Sequence, residues 1–197
     1  MFACVGYLSL QISAVVCAKI VPFEDGPKPG KPPAIALIVG SGCVGGMLAM
    51  QDGLGLWLLL PALIVFALVA CWYSDVLTGI IPDYFTIAPL VLVLVLRIFE
   101  HNWQNLAVTA LVTLVFGLTA FFSKGRGMGW GDVKLVALGC AVLGDRSLIA
   151  FSAACLAAVL IAAIRRRRSE PIAFAPYLAG AIAIGMAGIP IFPRAGI

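Results

Sequence analysis

The sequence predicts an all-α fold: a polytopic membrane helix bundle of about eight transmembrane spans with its N-terminus outside. Three observations predict it. Hydrophobic residues make up 62% of the 197 positions and charged residues 11%, at a mean hydropathy of +1.10, which excludes a soluble domain. Apolar runs recur at lengths near the ~20 residues that a spanning helix needs. Lys and Arg segregate between alternate loops, as topology requires.

Spans are expected at Phe2–Val21, Ala34–Met50, Leu54–Tyr73, Phe85–Phe99, Trp103–Phe122, Val133–Leu143, Leu148–Ile164 and Ile172–Phe192. The first lacks a basic leading region, with Lys19 only at its far end, so it reads as a retained helix rather than a cleaved signal. Residues 22–33, from Pro22 to Pro33, are Pro-rich and form a stiff linker within a single domain covering 1–197. In the second span Gly42 and Gly46, beside Gly45, permit close helix packing. The third ends at Asp75-Val76-Leu77-Thr78-Gly79-Ile80-Ile81-Pro82-Asp83, where Gly79 is a helix terminator and Pro82 forbids continuation. The sixth crosses a bilayer only if it takes in its flanks, from Asp132 to Asp145. In the eighth, Pro176 falls at a position tolerated near a helix start. Cys4, Cys17, Cys43, Cys71, Cys140 and Cys155 lie in apolar runs without a Cys-x-x-Cys pair. They read as buried small hydrophobes, not as metal ligands or disulfides.

Ten basic residues fall on one side of the predicted topology, namely Lys19, Lys28, Lys31, Lys124, Arg126, Lys134 and Arg165 to Arg168. The other side holds three: Arg97, Arg146 and Arg194. The richer side is cytoplasmic. The net charge of +4 therefore serves topology and implies no nucleic-acid partner. His101, the only histidine, sits in an outer loop beside Trp103 and reads as solvated.

One polar stretch, Gly125-Arg126-Gly127-Met128-Gly129-Trp130-Gly131-Asp132-Val133-Lys134, interrupts the apolar chain. Ionisable residues at a membrane boundary are functional candidates. Asp132 also suits a helix cap, while Lys134 in a first helical turn opposes the helix dipole. Asp75 closes the third span, and the topology puts both aspartates on the cytoplasmic side. No Ser-His or Cys-His set is available on that side. Two acids without a nucleophile or metal suggest a dyad that activates water for amide hydrolysis. Carboxylate pairs also occur as relays in proton-coupled transporters, and that alternative stays open on the residues alone.

Asp75 followed by Ile81-Pro82, and Gly129-Trp130-Gly131-Asp132-Val133-Lys134 further on, resemble the motifs of the type IV prepilin peptidases, membrane aspartyl proteases of the Gly-x-Gly-Asp type. Pro176-Tyr177-Leu178 is similar to a proline-aromatic-Leu segment late in that family. The resemblance implies an endopeptidase with Asp75 and Asp132 as catalytic residues. Gly129, Gly131, Lys134, Pro82 and Asp83 would be motif or substrate-binding positions, and no cofactor or metal would be needed. It implies a prepilin or pseudopilin substrate with a basic leader, cut at the cytoplasmic face of the bacterial inner membrane. Membrane lipid would be a partner, and the pilus or secretion assembly machinery an indirect one. Asp83 follows Pro82 and opens a helix, so on the residues it reads as a cap or turn residue; it stands where many members have Asn, and with Glu24 and Asp25 it would attract the leader's positive charge. The Cys-rich insert associated with N-methylation in larger members is replaced by residues 22–33, so a peptidase alone is expected. A presenilin-type intramembrane protease also uses Gly-x-Gly-Asp, but Asp75 precedes a Pro-containing turn rather than sitting mid-span. Helix dipoles further predict an ionised Asp132, at a helix N-terminus, as base and a protonated Asp75, at a C-terminus, as acid.

Overall fold

Leu, Val, Ile and Ala fill the long runs and leave the backbone as the main hydrogen-bonding group. In an apolar surrounding those groups are satisfied by closing helices. The structure, a computed structural model, describes residues 1–20, 34–52, 59–123, 129–164 and 174–188, and no strand occurs among them. In chain order the helices are α1 (Phe2–Ile20), α2 (Ala34–Asp52), α3 (Leu59–Thr78), α4 (Asp83–Phe99), α5 (Trp103–Phe122), α6 (Trp130–Leu143), α7 (Ser147–Ile164) and α8 (Ala175–Met186). Leu59–Thr78, Trp103–Phe122 and the run Trp130–Ile161 are long and apolar enough to cross a membrane, and Phe2–Val16, Leu37–Leu48 and Ala175–Met186 are shorter apolar helices. The linker 22–33, Gly125 to Met128 and Arg165 to Arg168 lie outside the described residues.

Helix ends follow local chemistry. Helix α3 runs five residues beyond the expected Tyr73, to Thr78. Hydropathy falls at Ser74 and Asp75, yet the helix stops only at Gly79, which takes φ 65° and donates its N–H to the Asp75 carbonyl at 2.9 Å. A left-handed residue here is nearly free for glycine and costly for others. Gly188, with φ 63°, likewise follows the end of α8 at Met186, short of the expected Phe192. Gly144, at φ 59° and ψ −130°, breaks the path between α6 and α7, and a 3₁₀ turn, Gly144–Arg146, leads into α7.

Helix α3 is the centre of the bundle. Its Ile64, Leu68 and Cys71 belong to a core shared with Leu135 and Leu138 of α6 and Leu178 and Ile182 of α8. Its Ala62, Val65 and Val69 belong to a second core with Phe2 and Leu10 of α1 and Leu37 and Leu48 of α2. On the outside, Val91, Leu111, Leu114, Leu156 and Val159 are exposed, as befits helices whose solvent is lipid. Two sequence expectations are corrected in this region. Cys71 and Cys140 are buried, but Cys4, Cys43 and Cys155 face outward. In α2 the close approach is made by Gly45, where a Cβ would lie 1.9 Å from Phe2 Cγ, whereas Gly46 has open space around it.

Among the described residues the charged side chains gather at two opposite ends. At one end are Asp75, Asp83, Asp132 and Lys134. At the other, Arg97 donates from Nε to the Ala141 carbonyl at 3.1 Å, from Nη2 to the Val142 carbonyl at 3.0 Å, and pairs with Glu100 at 2.9 Å. Gln104 bonds Asp145 at 3.1 Å on that same end. Asp83 meets Lys134 at the starts of α4 and α6, and Arg97 meets the carbonyls at the end of α6. The two helices therefore run in the same direction, held together at both ends.

Candidate active site

Three helix ends converge on one place. The first is the last turn of α3, which carries Asp75. Behind it, Ser74 Oγ donates to the Ile80 carbonyl at 2.6 Å, and Thr78 Oγ1 donates to the Ser74 carbonyl at 2.9 Å. These bonds close the segment from Ser74 to Ile80 and tie the turn into α4 to the helix end that carries Asp75.

The second is the start of α6. Gly129 is its N-cap, in extended conformation at φ −75° and ψ 150°, and no side chain caps it there. Asp132 is thus the third helical residue rather than the cap, and its carboxylate accepts the backbone N–H of Gly129. That is the backward half of a capping box, so a capping contact and a place in the site coexist in one residue. Gly131 explains why the motif needs a second glycine. A Cβ there would lie 3.0 Å from Ile81 Cβ and 3.2 Å from its Cδ1. Gly131 lets the Ile81-Pro82 turn seat directly on the first turn of α6.

The third is the start of α8, whose Ala175 donates its backbone N–H to Asp75 Oδ2 at 3.2 Å. Pro176 at the second helical position has no N–H to offer, and its fixed φ suits a first turn. The sequence places the start of this span at Ile172, whereas the helix begins at Ala175, and nothing local signals its contact with Asp75, 100 residues away.

Asp75 and Asp132 come together, close enough for the charge of Asp132 to act on Asp75, and both are half-buried. The expectation that helix ends distinguish them meets a further fact. Asp75 ends α3 but also faces the N-terminus of α8, so the two ends oppose each other at its carboxyl. Asp83 and Lys134 form an ion pair across α4 and α6, a contact that no local pattern in the chain signals. It also explains how a cation is tolerated in the first turns of α6. Pro82 precedes α4 as its N-cap residue, at φ −65° and ψ 134°. Among the described residues no group of His, Cys, Asp or Glu side chains is placed to hold a metal ion.

The fold and this site define a helical membrane protein with two carboxyl groups brought together at one polar end of the bundle. Residues 53–164 match the type IV leader peptidase family, and the chain belongs to that family. It is also similar to a prepilin leader peptidase/N-methyltransferase of Dichelobacter nodosus, 31% identical over 134 residues, an alignment that covers 60% of this chain and 47% of the relative. The chain thus spans about half the length of the curated relative it matches. No solved structure matches it.

Proposed function

We propose that the protein is an aspartyl endopeptidase that removes the short basic leader of prepilin-like proteins at the cytoplasmic face of the bacterial inner membrane. The observation that carries this is the meeting of Asp75 and Asp132, from separate helices, in a chain of the leader peptidase family. Two close carboxyl groups share a proton because like charges at short range disfavour double ionisation. The ionised one takes a proton from water as the water oxygen attacks the scissile carbonyl. The protonated one donates to the carbonyl oxygen, and proton transfer to the leaving amine then splits the tetrahedral intermediate.

In this reading all eight helices cross or enter the bilayer with the N-terminus outside, and the end bearing Asp75 and Asp132 faces the cytoplasm. The basic leader of the substrate stays in the cytoplasm while its apolar helix lies in lipid. Peptidase activity alone is proposed, because residues 22–33 carry no cysteine. Both aspartates lie within a turn of a helix end. That favours this reading over an intramembrane protease or a proton-coupled transporter, whose acids sit near the midplane. Co-expression with candidate prepilins tests it by gel shift: leader removal is expected, and Asp75→Asn or Asp132→Asn should each abolish it in a folded protein. Cleavage persisting in either variant would remove that residue from the mechanism.

A further inference from the structure

The mechanism makes no use of the Asp83–Lys134 ion pair, although it joins the start of α4 to the α6 turn that follows Asp132. Successive helical residues are ~100° apart, so Asp132 and Lys134 leave α6 on nearly opposite sides. Lys134 does not reach back to Asp132. It crosses to Asp83, the first residue of α4. Two residues before Asp83 is Ile81, whose Cβ is seated against Gly131. One apolar and one ionic contact thus fasten residues 81–83 to residues 131–134. The fastened turn is tied in its other direction to Asp75, through Ser74 Oγ on the Ile80 carbonyl and the Gly79 N–H on the Asp75 carbonyl.

A continuous path of short contacts therefore runs from Asp75 through the turn and across the ion pair to the helical turn that carries Asp132. A second path fixes the opposite side of Asp75, through Ala175. We propose that Asp83 and Lys134 are positioning residues: their ion pair holds the α3–α4 turn in register on α6 and thereby sets the separation of the Asp75 and Asp132 carboxyl groups. The proposal rests on the reading that those two aspartates carry the chemistry. It gives Asp83 a partner within the chain, in place of the role of attracting the leader that the sequence suggested.

The test uses the full chain in lipid vesicles with a prepilin carrying its leader and apolar helix, and compares Asp83→Asn, Lys134→Gln, the double variant, Lys134→Arg and Asp75→Asn. Small misplacements of reacting groups cost up to ~10²-fold in rate, so each neutral single variant should lower kcat by about 10- to 100-fold at unchanged KM. Residues that act as one unit are non-additive, so the double variant should be no slower than the slower single. Lys134→Arg keeps the charge and the reach and should restore kcat to within about threefold. Additive losses in the double variant would overturn the proposal, as would wild-type kcat in both singles. A raised KM in Asp83→Asn that high salt reproduces in the wild type would also overturn it and assign Asp83 to leader binding. Losses that only track a falling folded fraction, read by thermal unfolding, would reduce the pair to a structural contact and overturn it too. Activity in Asp75→Asn would sink the dyad reading and this proposal together. An inactive Asp75→Asn beside a failed cycle would sink the positioning role alone.

Discussion

Gly131→Ala isolates the contact on which the site is assembled. The added methyl would lie 3.0 Å from Ile81 Cβ, 3.2 Å from Cδ1 and 3.3 Å from Cγ1. The nearest atom is a Cβ, fixed to the backbone, and Ile81 is only 9% exposed. A rotamer change cannot clear it, so the turn and α6 must part by a few tenths of an ångström. Overpacking of this kind costs about 1–3 kcal/mol, and alanine's better helix propensity returns about 1 kcal/mol. The net loss of stability is about 0–2 kcal/mol. The effect on catalysis should be larger in proportion, because a displacement near 1 Å costs ~10²-fold and a few tenths should cost about tenfold. The assay is initial-rate leader removal at saturating prepilin, normalised to folded protein. Gly139→Ala is the comparison within the same helix. Its methyl would lie 2.8 Å from Ile182 Cδ1 and 3.0 Å from Phe151 Cε1, away from the site. It should lower the unfolding temperature while leaving kcat per folded molecule unchanged. Equal kcat losses in the two variants, or none in Gly131→Ala, would refute the argument that Gly131 sets the register of the Ile81 turn.

Two further outcomes are expected. Gly79→Ala should destabilise by about 1–2 kcal/mol, the cost of placing a side chain at positive φ, seen as a lower unfolding temperature in detergent. An unchanged midpoint would mean that the end of α3 rearranges freely. Arg97→Gln removes the charged donors that satisfy the Ala141 and Val142 carbonyls at the end of α6, at a cost of about 2 kcal/mol. Cleavage per folded molecule should persist, since the change lies at the opposite end of the bundle, and a selective loss of kcat would show that α6 transmits strain along its length.

What the sequence disclosed and what it hid follow from one physical distinction. Helix α5 coincides with the expected Trp103–Phe122 because its apolar run is continuous, and the structure adds a cap at its start, where the Asn102 side chain accepts the Asn105 N–H at 3.1 Å. Asp75 and Asp132 stand out as candidates because a carboxylate is conspicuous in a chain made for lipid. Cys4, Cys43 and Cys155 face outward against expectation, because in a bilayer the exterior is as apolar as the core and hydrophobicity no longer means inside. The same limit hid the contacts that make the site. Asp83 and Lys134 are 51 residues apart, and Asp75 and Ala175 are 100 apart, and only the packing of α4 on α6 and of α8 on α3 joins them. This is also why the helix-dipole argument for the proton was incomplete. From the chain alone, Asp75 belongs to one helix C-terminus. In the fold it also accepts from the N-terminus of α8, as Asp132 accepts from the N-cap of α6. A helix end has a sign that can be read from sequence, but the field at a residue sums every helix end that packs against it.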